Sequence, residues 1–273
     1  MIRAALVCLL LLMPASVMAQ EREPSHCLAV ADAMPEATYL HHVAFRDPVP
    51  DGTVRLRYIT HASFLLQTEG GLAAVTDFTG FVGNVDFTPD VVTMNHAHAT
   101  HYTDYPDPAI PHVLRGWGAF GEGVDHKLDL GEMLIRNVST DIRSGAGVER
   151  EGNSIFIFEV AGLCIGHLGH LHHEPSPEQY AAIGRLDVVM AAVDGGVTLD
   201  LPTMLKVMSR FRARIVIPMH WFIDGSLGRF LSGMEAEFDV VDTGSHDLVV
   251  SLDTLPTRPT VMVLRPAYLR EDE

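Results

Sequence analysis

The alternation of apolar and polar residues predicts β-strands over most of the first half of the chain. Residues 54–58 read Val-Arg-Leu-Arg-Tyr, and this apolar and basic alternation has the two-residue period of a half-buried strand. Apolar segments separated by turn residues such as Glu69-Gly70-Gly71 continue the pattern as a meander. Further strands are predicted at residues 63–68, 72–76, 91–94, 133–138, 154–160 and 162–168.

Two helices are predicted in the second half of the chain, between further strands. The first begins after Ser176, a favourable N-cap residue, with Pro177 at the first helical position. The second has apolar residues at the spacing of one helical face: Leu201, Met204, Leu205, Met208 and Phe211. The strands that surround these helices are predicted at residues 186–193, 214–219, 247–252 and 260–264.

This order of elements predicts a single α/β domain over residues 53–265, in which helices cover the sheets. No proline-rich or serine-rich linker interrupts that range. An irregular lead-in over residues 20–52 precedes the domain, and a charged tail over residues 266–273 follows it.

The first 19 residues are typical of a secretory signal peptide. Arg3 is their only charge, the run Ala4–Met13 is almost wholly apolar, and Ala19 ends a passable cleavage site. An uncleaved anchor is the alternative, but the apolar run is shorter than the roughly 20 residues that span a bilayer. We therefore expect a mature chain that begins near Gln20, has no membrane span, and lies in the periplasm or outside the cell.

The net charge of the chain indicates which kinds of partner are expected. The chain carries 35 acidic and 19 basic residues, which gives a formal net charge of −16. A nucleic-acid-binding protein shows the opposite excess, so nucleic acid is excluded as the expected partner. The expected partner is a small-molecule substrate, and the sequence determines no oligomeric state.

Two cysteines are left once the signal peptide is removed. An exported chain meets an oxidising compartment, where Cys27 and Cys164 are able to form a disulfide. The favoured interpretation is nevertheless that Cys164, within an apolar strand pattern, is a small core residue.

Histidines follow three of the predicted strands. His96, His98 and His101 come directly after the strand at residues 91–94. His170 follows the strand at 162–168, and His220 ends the strand at 214–219. Three strands that each deliver imidazole at their carboxyl end are typical of a metal site, because neutral imidazole is a good ligand for zinc, iron and copper.

The residues around these histidines resemble the motifs of the metallo-β-lactamase superfamily, in the branch that contains L-ascorbate-6-phosphate lactonase-like hydrolases. The resemblance runs in order from about residue 53 to 222 and implies an αβ/βα sandwich, two packed mixed sheets with helices outside. It also implies hydrolysis of an ester, lactone or phosphoester-type small molecule by metal-bound hydroxide. The segments that carry it are Thr60-His61-Ala62-Ser63, Thr76-Asp77, the stretch from Asn95 to Tyr102, the stretch from Gly166 to His173, and Ile217-Pro218-Met219-His220.

Three positions depart from the family pattern. Thr100 stands where the motif has aspartate, and His170 stands where a metal-bridging aspartate is expected. Asp141 falls about where the family has the third histidine ligand of its first metal ion. If these residues still face the metals, the ligands are His96, His98 and Asp141 for the first ion and His101, His170 and His220 for the second. For Asp141, an exposed loop carboxylate is the equally weighted alternative.

The altered ligands change the expected metal content. Imidazole at position 170 cannot bridge two cations as a carboxylate does, so we expect one tightly bound zinc ion and a weak second ion or none. Manganese or iron is also compatible with the pattern. The resemblance further implies supporting roles for Asp77 and His61, although His61 is equally well explained as a core histidine, and it suggests His173 as the acid that protonates a leaving group.

Two functions are consistent with the sequence. The first is an exported metal-dependent hydrolase, and the alternative is a non-hydrolytic metal-binding or scaffold protein with a degenerate dinuclear site. The altered positions 141 and 170 still carry aspartate and histidine, which are both metal-ligand types, and this favours the hydrolase.

Overall fold

A computed structural model describes residues 25–28, 44–144, 147–222 and 224–272. The predicted signal peptide and most of the lead-in lie outside these residues. Among the helices that are described, none is both long and apolar enough to cross a membrane.

The described residues form sixteen strands and three α-helices. In chain order the strands are β1 (Val54–Thr60), β2 (Ser63–Thr68), β3 (Ala73–Val75), β4 (Gly83–Asn84), β5 (Val91–Met94), β6 (His112–Arg115), β7 (Lys127–Asp129), β8 (Met133–Ser144), β9 (Gly147–Val160), β10 (Leu163–His167), β11 (Val188–Ala192), β12 (Ile215–Met219), β13 (Asp239–Asp242), β14 (Asp247–Val250), β15 (Thr260–Val263) and β16 (Leu269–Arg270). The helices are α1 (Pro177–Ile183), α2 (Leu201–Phe211) and α3 (Asp224–Met234).

The strands form two large sheets and one small one. The six-stranded sheet has the order β14-β1-β2-β3-β5-β6, and the eight-stranded sheet has the order β13-β15-β12-β11-β10-β9-β8-β7. Both sheets are mixed, since β1 and β2 pair antiparallel whereas β5 and β6 pair parallel, and β8 and β9 pair antiparallel whereas β11 and β12 pair parallel. The predicted sandwich of two mixed sheets is confirmed.

Strand alternation divides the apolar residues into layers. In β9, Phe156 and Phe158 belong to the core between the two sheets, whereas Ile155 and Ile157 face the opposite layer. Met208 of α2 and Phe230 of α3 pack in that opposite layer, so the helices cover the outer face of the eight-stranded sheet. The outer face of the six-stranded sheet is covered by non-helical segments, which contribute residues such as Phe45, Val82 and Ile110.

The basic residues of β1 are buried, and the prediction of a half-buried strand is wrong. Arg55 and Arg57 are both fully buried. The Arg55 guanidinium donates to the carbonyl oxygens of Asp47 at 2.9 Å and Pro48 at 3.1 Å. The described end of the lead-in therefore lies over the second face of β1, and its backbone oxygens accept hydrogen bonds from the terminal nitrogens of the buried Arg55 guanidinium.

Both ends of the described chain are tied to the fold. Cys27 forms a disulfide with Cys164 of β10, so the favoured interpretation of Cys164 as an unpaired core residue is wrong. The predicted charged tail includes β16, which pairs with β4 and buries Leu269. Sequence patterning missed both features, because a disulfide partner and a two-residue strand leave no periodic signal.

Candidate metal centre

Four histidines converge at one edge of the sandwich, where strands of both sheets end. One ring nitrogen from each of His61, His98, His101 and His220 lies within 4.8 Å of the others. His98 and His101 follow β5, His220 follows β12, and His61 lies in the turn between β1 and β2. His101 and His220 are fully buried. We call these four residues the histidine group.

The backbone is strained at three positions of this site. His61, Asp77 and His220 have φ angles of 48°, 42° and 56°, in the left-handed region. This conformation costs a non-glycine residue on the order of 1–3 kcal/mol and persists only where its surroundings enforce it. The His61 carbonyl provides such enforcement, because it accepts hydrogen bonds from the Tyr58 hydroxyl at 2.7 Å and from the His220 backbone N–H at 2.9 Å.

Two carboxylates orient the two buried histidines. Asp77 Oδ2 lies 2.5 Å from His101 Nδ1, and Asp194 Oδ2 lies 2.9 Å from His220 Nδ1. Each carboxylate accepts a hydrogen bond from the protonated Nδ1 of its histidine. The lone pair of that ring is therefore on Nε2, on the opposite side. Both Nε2 atoms are buried and have no hydrogen-bond partner. Buried polar atoms are normally satisfied, and a histidine held by a carboxylate with its other nitrogen free is the arrangement of a metal ligand, so these residues fit a cation.

The electrostatics of the site favour the neutral form of three imidazoles of the histidine group, and neutral imidazole is the metal-binding form. Burial lowers the pKa of His61 to about 3, and it lowers the pKa values of His98 and His101 as well. Burial also raises the pKa of Asp77 to about 6. In Asp194 the same burial is outweighed by hydrogen bonds from His220, Thr198 and backbone N–H groups, which hold the pKa of the carboxyl well below its usual range.

His170 and Thr100 contact the histidine group from two sides. His170 Nε2 lies 3.0 Å from His98 Nε2, and the other His170 nitrogen lies 2.5 Å from His172 Nε2. Thr100 Oγ1 lies 2.7 Å from His98 Nδ1 and 2.9 Å from His61 Nε2. The departures from the family motif at positions 100 and 170 therefore both lie against His98.

His96 does not join the histidine group, although the sequence motif predicts it as a ligand. Its Nδ1 lies 3.1 Å from Glu149 Oε1, and its ring stacks on Trp117 with the centroids 4.8 Å apart. The reason is the turn that follows β5, in which the His101 N–H donates to the His98 carbonyl at 2.9 Å. This turn brings the rings of His98 and His101 to a centroid distance of 4.6 Å, and His96 precedes it.

Asp141 and His173 also lie apart from the histidine group. Asp141 Oδ1 accepts the Glu151 backbone N–H at 2.9 Å, so the carboxylate is used within the β8–β9 hairpin. Asp141 also differs from the alternative of an exposed loop carboxylate, because it is partly buried within β8, which continues past residue 138 to Ser144. His173 is exposed, and its ring contacts His172 at a centroid distance of 6.5 Å.

Two features of the site were not predicted as such. His61 was expected to support the ligands or to lie in the core, yet it supplies one of the four converging nitrogens. The pairing of Asp194 with His220 was also not predicted. The position of each residue directly after a strand was the available signal, since such residues point into the sheet edge.

Comparison with known proteins identifies the family. Residues 55–220 match the sequence profile described as "Beta-lactamase superfamily domain". The chain belongs to this superfamily. The matched range contains all four residues of the histidine group and ends on His220. The closer assignment to the lactonase-like branch stays a prediction.

Similar proteins in this superfamily are known from archaea and bacteria. The chain is 26% identical over 184 residues to a metal-dependent hydrolase of Methanosphaerula palustris. The aligned region covers 62% of this chain and 84% of the relative. It is also 26% identical over 186 residues to a metal-dependent hydrolase of Methanospirillum hungatei, covering 62% of this chain and 83% of the relative.

A solved structure shows the same fold. It comes from Thermotoga maritima and is described as a candidate zinc-dependent hydrolase of the metallo-β-lactamase superfamily. It has a TM-score of 0.55 and 24% sequence identity, over 77% of this chain and 98% of that protein. A metallo hydrolase from Ignicoccus hospitalis gives a TM-score of 0.51 at 19% identity, over 67% of this chain and 91% of that protein.

Proposed function

We propose that this chain is a metal-dependent hydrolase whose ion is held in the histidine group, with His101 and His220 as its first two ligands. The observation that carries the proposal is the pair of buried Nε2 atoms without partners, each on a ring whose Nδ1 is held by a carboxylate. The names of the two archaeal relatives support the same activity.

The donor set favours zinc and a single ion. Neutral imidazole suits zinc and iron, whereas manganese prefers oxygen ligands, so zinc and iron fit this group better than manganese. His96 and Asp141, which were expected to hold the first ion with His98, lie apart in the described residues and are each bonded to another partner. One tightly held ion is therefore the expected content.

The residues of the chain bind and orient the reacting groups. A bound dication supplies Lewis acidity and lowers the pKa of a water molecule toward about 7. Asp77 and Asp194 fix the tautomers of His101 and His220, and strained backbone turns fix their positions. Phe222 is 59% exposed and its ring centroid lies 5.0 Å from His61 and 4.8 Å from His220, so it provides an apolar wall for the substrate.

The expected substrate is a small molecule with an ester, lactone or phosphoester bond, and nucleic acid is disfavoured by the net charge of −16. We also place the protein in the periplasm or outside the cell. The Cys27–Cys164 disulfide supports this location, because disulfides form and persist in oxidising compartments. The intact mass of the protein from its native host tests it: a chain from near Gln20 is expected, and a mass that retains residues 1–19 would contradict export.

A second candidate function is metal binding without hydrolysis. It is favoured by the composition of the histidine group, which in the described part of the chain contains no carboxylate. Asp77 and Asp194 are both occupied by histidine Nδ1 atoms, so neither is free to accept a proton from water.

One experiment separates the two functions. The purified protein is stripped with a chelator, titrated with zinc, and assayed at each step against a panel of esters, lactones and phosphodiesters. Hydrolysis that disappears with the metal and returns with it supports the hydrolase. Tight zinc binding without turnover of any substrate favours the second function, and failure to bind zinc contradicts both.

A further inference from the structure

A continuous chain of hydrogen bonds joins the histidine group to the backbone of β8. It begins at the Arg143 backbone N–H, which donates to His172 Nδ1 at 2.7 Å. The other His172 nitrogen lies 2.5 Å from His170 Nδ1, and His170 Nε2 lies 3.0 Å from His98 Nε2. Thr100 Oγ1 then connects His98 Nδ1 at 2.7 Å to His61 Nε2 at 2.9 Å.

The donor and the acceptor of every hydrogen bond in this series follow from the first bond. A backbone N–H can only donate, so His172 Nδ1 accepts and the proton of this neutral ring is on Nε2. His172 Nε2 therefore donates to His170 Nδ1, which places the proton of His170 on its own Nε2. The same argument at the next bond makes His98 Nε2 an acceptor and His98 Nδ1 a donor.

The last link before His61 is the Thr100 hydroxyl, which can both accept and donate a hydrogen bond. Thr100 Oγ1 accepts from His98 Nδ1, so its own proton is directed to His61 Nε2. His61 then carries its proton on Nδ1 and presents an Nε2 lone pair to Thr100. An aspartate at position 100 would offer only acceptors to both rings and would not define His61 in this way.

The two histidines at the end of the chain differ in how easily they can bind a cation. The lone pair of His98 is on Nε2, and it is freed only if the His170 ring, which is also bonded to His172, moves away. To free His61 Nε2, only the Thr100 hydroxyl has to rotate. Both nitrogens of His98 are thus occupied, whereas the His61 lone pair is released by rotation about a single bond.

We propose that the hydrogen-bond series from His172 through Thr100 positions His61 as the third metal ligand, beside His101 and His220. His98 is then a member of this hydrogen-bond series rather than a ligand. This inference rests on the proposed metal site. Thr100 is the positioning residue that presents His61, and it gives a function to the position where the family motif has aspartate.

The test uses Thr100→Val, which keeps the shape and removes the hydroxyl, and Thr100→Ser, which keeps the hydroxyl. Thr53→Val is the matched control, because its hydroxyl bonds the Pro50 carbonyl in a turn before β1. We expect Thr100→Val to weaken zinc binding by about 2-fold, because roughly half of the His61 rings then carry their proton on Nε2 and cannot bind a cation through it. Thr100→Ser should restore binding, and Thr53→Val should leave it unchanged.

Nitrogen-15 NMR of labelled histidines provides a readout that needs no metal. In the metal-free wild type we expect His172 and His170 as Nε2–H tautomers and His98 and His61 as Nδ1–H tautomers, with His61 becoming a mixture in Thr100→Val. Zinc should then shift His61 Nε2 but not the His98 nitrogens.

The outcomes are distinguishable. The opposite tautomer at His170, an unchanged His61 tautomer in Thr100→Val, or direct zinc coordination by His98 would each overturn this inference while leaving the metal site standing. A wild type that binds no zinc would overturn the proposed function itself, and with it the ligand role of His61, whatever the metal-free spectra show.

Discussion

Two kinds of histidine–carboxylate pair lie near the ends of β5 and β12. In the first kind, Asp77 holds His101 at 2.5 Å and Asp194 holds His220 at 2.9 Å. In the second, Glu149 Oε1 lies 3.1 Å from His96 Nδ1. All three carboxylates contact Nδ1, so the contact alone does not distinguish the pairs.

Burial distinguishes them. The side chains of His101 and His220 are 0% exposed and their Nε2 atoms have no partner, whereas the side chain of His96 is 36% exposed. A buried lone pair without a partner lacks the hydrogen bond that water would provide, and a bound cation would compensate for it. An exposed lone pair is hydrogen-bonded by water and needs no cation. The comparison teaches that an unsatisfied Nε2, rather than the carboxylate or the sequence motif, distinguishes the proposed ligands from His96.

The largest expected effect is the loss of a buried histidine. His220→Ala removes one of the two unpartnered nitrogens, and we expect zinc affinity to fall by more than about 100-fold, above the range for losing a supporting group. His96→Ala is the matched change in the exposed pair and should leave affinity unchanged. Titration with zinc, followed by elemental analysis, measures both, and comparable losses in the two variants would contradict the distinction.

A smaller effect is expected when a carboxylate loses its charge. Asp77→Asn keeps an oxygen near His101 but removes the anionic acceptor that fixes the ring, so zinc affinity should fall by about 10-fold, the lower end of the range for such groups. Glu149→Gln makes the same change beside His96 and should have no effect. A loss in Glu149→Gln as large as that in Asp77→Asn would show that both pairs serve the metal.

The smallest effect on metal binding is expected away from both pairs. The double variant Cys27→Ser, Cys164→Ser removes the disulfide, which should lower the free energy of unfolding by about 2–4 kcal/mol. Zinc affinity at low temperature should stay at the wild-type value, because neither cysteine contacts the histidine group. Denaturant unfolding and zinc titration separate the two quantities; a parallel fall in affinity would show that stability, rather than ligand placement, governs binding.

The fold was largely predictable because strands with an apolar face have a two-residue period. The predicted strand at residues 63–68 and the one at residues 91–94 agree with β2 and β5, and Ser176 caps α1 as expected. The second half of β8 was missed because Ser139 to Ser144 is mostly polar and is held by backbone pairing to β9. That omission also misplaced Asp141, since a residue within a hairpin was interpreted as part of a loop.

The site was predictable to the level of its edge, but not of its individual ligands. Residues after β5 and β12 were expected to converge, and His98, His101 and His220 do so. The exclusion of His96 depends on the turn after β5, and the inclusion of His61 depends on a left-handed backbone at that residue. Neither conformation can be deduced from residue type, because histidine does not specify a turn.

Anomalous diffraction at the zinc edge, from crystals of the zinc-loaded protein, tests the central claim most directly. The account predicts one strong zinc peak about 2.0–2.1 Å from the Nε2 atoms of both His101 and His220. It predicts no peak of similar strength at His96. Zinc bound through His96, or zinc bound while the Nε2 atoms of His101 and His220 stay without a ligand bond, would contradict it.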